Sequence, residues 1–490
     1  MTQPETHIER LDQRNVHKPV SRREFLTTSA MAFAGGVLYA CTGGDQRSAR
    51  VSATPSATAA ATDTQWPIKR VIYLMLENRS FDNIFGRYPS ANGVTSGVDL
   101  GREVPLIDCP QWLPGDIPHD HAAARNCLND GRMDGFGGGA YGWLYGYSQF
   151  DRSDLPNYWE WADDYVLSDN FFASAFGPSY PNHMYFVAGT AAGVIDNPEN
   201  ILVRREGDKA IKSWGCDAFG EDVYVFAMDE RGNLSKHDTC FPNPTVPEQL
   251  SQAGVDWAYY APNPEQSGYI WSALSAFEGV FHTDLWHKGV RPVDQFVRDI
   301  QDDRLPSVSW VVPRFELSDH PPWNSRYSMN WVTDIVNAAM ASPGWEHTAI
   351  FVTWDEWGGF YDHVEPPMAD PHTRLGFRVP LLTISPWAHK GKVDSEQAEF
   401  TSPLRFISDN WGIDPLTPRI AQTTNLEHLF DFRGRPRKDA RPLRKVQADG
   451  KAFQFPPDFK GWPDCVNPAP EFLEDPPDPA LPPADCPPSL

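Results

Sequence analysis

Two acidic pairs stand out because of where they fall. Glu77-Asn78 directly follows the apolar run Val71-Ile72-Tyr73-Leu74-Met75-Leu76, and Asp355-Glu356 directly follows the run from Ala349 to Trp354. A continuous apolar run of this kind is the pattern of a strand buried on both faces. In open α/β sheets, ligands collect outside the carboxyl ends of the strands. Two oxygen-rich dipeptides at two such ends can therefore converge on one hard divalent cation. Acidic residues also begin many loops that hold no ion, and spacing alone does not separate the two readings. Gly177-Pro178-Ser179-Tyr180-Pro181-Asn182 reads as a rigid turn that projects a small hydroxyl. A serine alkoxide forms readily only when a cation lowers its pKa, so Ser179 and the acidic pairs suit one another.

These residues need elements to position them. Val308 to Val312 and Val379 to Ile384 repeat the apolar pattern, and Tyr327 to Met340 carries helical spacing between two of the runs. Alternating strands and helices imply a mostly parallel sheet with helices on both sides. The middle, Val98 to Gln301, is rich in Gly, Trp, Tyr and turn residues and reads as long loop insertions at the mouth of the sheet. Within it, Gly135 to Ala140 matches GxGxxA but follows a turn rather than a strand, which argues against dinucleotide binding.

Around the acidic pairs the chain resembles the bacterial phospholipase C and acid phosphatase family of phosphoesterases. The resemblance is carried by Glu77-Asn78-Arg79-Ser80-Phe81-Asp82, by Asp355-Glu356-Trp357-Gly358-Gly359-Phe360-Tyr361-Asp362-His363, and by four blocks between and after them. Those blocks are Gly131 to Phe136, Gly177 to His183, Asp319-His320-Pro321-Pro322 and Gly376 to Pro380, in family order from about Ile68 to Trp411. The resemblance implies an alkaline-phosphatase-like three-layer α/β/α sandwich and a hydrolase using one divalent metal ion. It implies Glu77, Asn78, Asp355 and Glu356 as metal ligands, with Ser179 as both nucleophile and metal contact. It further implies His119, His282 and His320 as catalytic histidines, with Arg132 as a substrate contact where relatives carry lysine. His363 would orient the Asp355 loop. The expected substrate is a phosphoester: a phospholipid suits the aromatic insertions and the membrane tether, and the alternative is a phosphomonoester, taken by a broad-specificity acid phosphatase. One departure is Glu399-Phe400-Thr401-Ser402, where Phe400 stands in place of the family's histidine and removes a polar contact.

Charge and cysteines bound the remaining possibilities. The 490-residue chain has a formal net charge of −23, which argues against nucleic acid, and a phosphate-bearing substrate needs a local cation to reverse the field. Ser21-Arg22-Arg23-Glu24-Phe25-Leu26 is a twin-arginine export signal, and Leu38-Tyr39-Ala40-Cys41 resembles a lipoprotein cleavage box. Residues 1–41 are thus read as the signal, 42–65 as a flexible tether, 66–435 as the catalytic domain and 436–490 as a proline-rich tail. The expected partners are the export machinery and a membrane reached through a lipid anchor, at the cell surface or in the periplasm. The other six cysteines fall into local couples, Cys109–Cys127, Cys216–Cys240 and Cys465–Cys486, expected to be bridged in an oxidising compartment. Twin-arginine export also admits a redox enzyme, but no haem, iron–sulfur or nucleotide signature supports one. A surface-anchored binding protein without activity is the remaining class.

Overall fold

The structure, a computed structural model, describes residues 63–206, 209–218 and 222–448. The export signal, Cys41 and Cys465–Cys486 lie outside the described residues. Every side chain from Val71 to Leu76 is buried, as the apolar run requires. In chain order the main sheet is built from β1 (Arg70–Leu76), β2 (Val166–Ser168), β3 (Trp257–Ala261), β4 (Val290–Pro292), β5 (Val308–Val311), β6 (Thr348–Trp354), β7 (Leu381–Ile384) and β8 (Lys392–Asp394). Its spatial order is β4-β3-β5-β1-β6-β7-β2-β8. Only β7 runs against the others, antiparallel to both β6 and β2. The central pair is in parallel register, Leu76 opposite Trp354, so Glu77 and Asp355 leave the sheet side by side.

Helices cover both faces. On one face Tyr73 meets Phe186 of the Ser179–Ala188 helix at 4.4 Å between ring centroids, and Phe351 meets Phe406 of the Thr401–Asn410 helix at 5.6 Å. On the other, Trp354 meets Tyr158 of the Pro156–Asp164 helix at 5.2 Å. That helix is joined to the Ser325–Ala341 helix through Asn157 and Thr333 at 2.9 Å. The result is the expected three-layer α/β/α arrangement around a mostly parallel sheet. Truncating one of these rings to Ala would cost about 3–5 kcal/mol through lost burial and a cavity.

Two expectations change, and one feature is added. The middle of the chain is not all insertion, because it supplies β2, β3 and β4 to the sheet. Those strands are only three to five residues long and too short to show a period. Of the described cysteine couples only Cys216–Cys240 is bridged, while Cys109 and Cys127 are free and buried. Cys109 sits in the large core beside Arg79, and Cys127 lies on the buried face of the His121–Leu128 helix in a separate apolar cluster. Nearness in sequence fails there because the intervening chain carries the two thiols to different walls. Finally, the segment after Arg435 is docked as far as it is described. Asn337 exchanges two hydrogen bonds with Leu443, and Asn330 does the same with Val446, along one stripe of the Ser325–Ala341 helix. Among the described residues no helix is long and apolar enough to cross a membrane.

Candidate metal centre and nucleophile

The site begins where β1 and β6 end. Asp355 N–H donates to Leu76 O at 2.9 Å, which continues the ladder one step past the strand. The Asp355 Oδ1 atom then accepts from Asn78 N and Glu356 N, both at 2.8 Å. Asn78 adopts the left-handed conformation, φ 60°, which asparagine tolerates better than most residues. Gly358 is required opposite it: a Cβ there would lie 2.4 Å from Asn78 O. Glu356 Oε2 accepts from Gly358 N at 2.7 Å. Two strand ends and one tight loop thus hold Glu77, Asn78, Asp355 and Glu356 together, all with no exposed surface.

Ser179 arrives on a third element. The predicted turn instead opens a helix: Pro178 is its N-cap and Ser179 its first residue. Asn182 fixes the approach, donating through Nδ2 to the carbonyls of Ala175, Gly177 and Pro178 and accepting from Ala175 N. The Ser179 hydroxyl donates to Glu77 Oε2 at 3.2 Å. A helix N-terminus also favours a negative group placed there. Four residues further on, His183 projects from the same face, its Nε2 2.7 Å from Glu77 Oε1 and 3.9 Å from Asp355 Oδ2. Burial pushes the His183 imidazole down to about 4 despite the Asp355 charge, so it is neutral.

Burial holds the carboxyls of Glu77, Asp355 and Glu356 well above the usual carboxylate range, and their mutual charges add to this at Asp355 and Glu356. Among the described residues no lysine or arginine pairs with any of the three. Asp355 Oδ2 and His183 Nδ1 are buried without a hydrogen-bond partner. Concentrated buried negative charge with unused lone pairs is costly unless a cation answers it. Glu77, His183 and Asp355 each offer a ligand atom within 4.8 Å of the others. The donors therefore fit a divalent cation.

Two histidines face this cluster from loops beyond β1 and β5. The Asn78 amide, in the orientation that satisfies it, donates to Glu356 Oε1 at 2.7 Å and turns its oxygen to Nε2 of His320 at 2.9 Å and of His119 at 3.3 Å. His119 Nδ1 donates to Ile117 O at 2.6 Å, and His320 Nδ1 faces Pro321 O. Each ring therefore has oxygens at both ends, which favours the doubly protonated form, while burial opposes it. At His119 burial is outweighed by the Asp116 charge and the Ile117 carbonyl, and the pKa is raised; at His320 burial prevails and it is lowered. Arg79 secures the His320 loop by donating to Asp319 O at 2.8 and 3.1 Å. Trp271 and Phe315 wall it, the Trp271 ring stacking beside both His183 and His320.

A second buried network ties together the loops that follow β1 and β6. Arg378 Nε donates to Asp362 at 3.1 and 3.2 Å, and its Nη2 donates to Asp82 at 3.2 Å. Asp82 also receives His363 through backbone N at 2.9 Å and ring Nδ1 at 2.6 Å. His363 thus orients the Asp355 loop through Asp82. Phe400 is fully buried under β1, its carbonyl accepting from Tyr73 at 3.1 Å.

Two predicted site residues stand apart. His282 is exposed at the end of a short helix, its Nε2 3.9 Å from Cys240 Sγ in the disulfide. Arg132 is also exposed, its guanidinium spent on Asn129, Asp130 and Asp134. Sequence reasoning left His183 and Asp116 without roles. The i, i+4 spacing from Ser179 would have found His183 had a helix been read there.

The open, mostly parallel α/β sheet, with buried carboxylates and a serine at its carboxyl edge, is a hydrolase-type scaffold whose buried donors fit a divalent cation. The chain belongs to the phosphoesterase family, whose sequence profile matches residues 68–414. It is similar to the hemolytic phospholipase C of Pseudomonas aeruginosa, at 30% identity over 443 residues, covering 76% of this chain and 57% of that protein. It is also similar to phospholipase C B of Mycobacterium tuberculosis, at 26% identity, covering 75% of this chain and 78% of that one. Among solved structures it is similar to an alkaline phosphatase superfamily protein from Vibrio parahaemolyticus, with 11% identity, 74% and 70% coverage and a TM-score of 0.34.

Proposed function

We propose that the protein is an exported, metal-dependent phosphoester hydrolase that acts as a phospholipase C through Ser179. The observation that carries this reading is the Ser179 hydroxyl hydrogen-bonded to Glu77 inside a buried carboxylate cluster that lacks its own cation. Glu77, Asn78, Asp355 and Glu356 would hold one divalent metal, with His183 a further donor from the helix. When bound, such an ion neutralises the cluster and lowers the cost of ionising a nearby hydroxyl.

The chain's own groups supply the rest. Ser179 Oγ attacks phosphorus as Glu77 Oε2 takes its proton, and the bond from phosphorus to the alcohol breaks. The departing oxygen takes a proton from His119, whose charged form Asp116 favours. Water then attacks the phosphoserine and gives a proton to His119; Ser179 leaves and recovers its proton from Glu77. His320 and the helix N-terminus steady the phosphoryl oxygens. Export through the twin-arginine signal and anchoring at Cys41 belong to the same proposal, and Cys41→Ala should release active protein from the membrane.

The test is turnover and metal content of Ser179→Ala and Asp355→Ala on phosphatidylcholine and on p-nitrophenyl phosphate. Ser179→Ala should lose roughly a thousandfold in turnover and keep its metal, whereas Asp355→Ala should lose both. Wild-type turnover in Ser179→Ala would overturn the serine mechanism. Activity on monoesters alone would make the protein a phosphatase, and no activity with metal bound would leave a binding protein.

A further inference from the structure

The rim beside the site exposes apolar side chains that folding would ordinarily bury. Trp143 is 76% exposed and Leu100 75% exposed, and both line one surface cavity of about 760 Å³. Leu100 forms the tip of a hairpin. Ser96–Asp99 pairs antiparallel with Arg102–Pro105, Asp99 opposite Arg102, which leaves Leu100-Gly101 as the two-residue turn. Leu100 has φ 45° and Gly101 φ 80°. Two-residue turns with positive φ favour Asn, Asp or Gly. A leucine there is strained in its backbone and wasted in water, unless something apolar receives it.

Trp143 is held outward by a glycine-rich segment. Gly142 and Gly146 pack against Phe136 O, where Cβ atoms would lie 3.1 and 2.3 Å away, and Tyr141 anchors the segment through its hydroxyl to Pro114 O at 3.2 Å. The same segment touches both sides of the site. Gly139 lies against Pro118, the neighbour of His119, and Gly146 O accepts from Tyr361 N at 2.8 Å in the loop that starts at Asp355.

We propose that Trp143 and Leu100 form a docking rim that inserts into the surface of a zwitterionic phospholipid membrane. This rests on the phospholipid reading of the site. Indole suits that boundary, with an apolar body and a polar N–H. Charge selects the lipid: a chain of net −23 is repelled by anionic bilayers. The cavity between the two side chains offers both signs, Arg125 against Asp99 and Asp130, as a headgroup carrying both signs requires.

The test is co-sedimentation of the full chain carrying Cys41→Ala, so that no acyl anchor contributes, with phosphatidylcholine and with phosphatidylglycerol vesicles. Replacing Leu100 by Asn and Trp143 by Ser should weaken binding to phosphatidylcholine roughly tenfold. The value of kcat/KM on soluble p-nitrophenylphosphorylcholine should stay unchanged, since neither residue touches the site. Undiminished binding of the double variant overturns the proposal, as does tighter binding to phosphatidylglycerol or failure of the parent to bind vesicles. If the parent binds through the rim but leaves the lipid intact while turning over soluble esters, the docking surface stands and the phospholipase reading falls.

Discussion

His119 is half-buried and His320 buried, both are hydrogen-bonded to a backbone carbonyl and both lie near Asp116, yet they are driven in opposite directions. Asp116 Oδ1 lies 3.6 Å from His119 Nδ1, and Asp116 Oδ2 lies 3.8 Å from His320 Nε2. The nearer carboxylate and the Ile117 carbonyl raise His119, while burial lowers His320. On the proposed mechanism, a proton held at His119 is the one available to a leaving alcohol. His119→Ala should therefore cost turnover of alkyl phosphoesters at least ten times more than turnover of p-nitrophenyl esters, whose leaving group needs little protonation. His320→Ala should slow both alike. The comparison is read from kcat/KM on paired substrates, and an equal loss in His119→Ala would show that another group protonates the alcohol.

At the scale of elements, the loops after β1 and β6 are joined by Arg378 as well as by the sheet. Arg378, Asp82 and Asp362 have no exposed surface, so removing the guanidinium would leave two buried carboxylates unanswered. Arg378→Met should destabilise the fold by about 3–5 kcal/mol, measured by denaturant unfolding. Arg378→Lys keeps the charge but not the fork that meets Asp362, Asp82 and the carbonyls of Asn92 and Asp169. It should recover part of the stability while metal affinity stays weakened, because the loops would no longer be held in one geometry. Metal affinity equal to that of the parent in Arg378→Lys would show that the sheet alone sets the site.

At the scale of the whole molecule, the buried carboxylates link folding to protons and, on the proposed reading, to a metal as well. Glu77, Asp355 and Glu356 all have pKa values raised by burial, so without a cation the folded state takes up protons more readily than the unfolded one. The sign follows: a group whose folded pKa is raised contributes stability below its unfolded pKa and loses it as pH rises through the folded value. Chelator-treated protein should therefore gain Tm when the pH is lowered from about 8 to about 5.5, the side on which raised carboxyls protonate. Metal-loaded protein should show a higher Tm at pH 8 and the opposite trend on acidification, because protons then compete with the ion. Calorimetry at matched ionic strength checks this, and identical pH profiles with and without chelator would count against a metal at these residues.

Several features were legible from the chain alone. Strands buried on both faces must be apolar, and they end where polar residues resume, so Glu77 and Asp355 mark two strand ends without reference to any fold. The helix at Tyr327 to Met340 and the outer strands of the motif region were legible for the same reason, since local pattern records burial. What local pattern does not record is which distant segments meet. The register of β1 against β6 brings Glu77 beside Asp355, and packing of the Ser179 helix under β1 adds His183. The same packing leaves His282 against a disulfide and Arg132 among surface acids. Cys109 and Cys127 lie closer in sequence than the bridged Cys216 and Cys240 and still part, because each is buried in a different core. The apolar run of β7 showed a strand and nothing of its direction, for side chains buried on both faces look the same whichever way the backbone runs. Sequence thus determined the chemical groups and the strand ends that carry them, and only long-range packing decided which groups share one buried site.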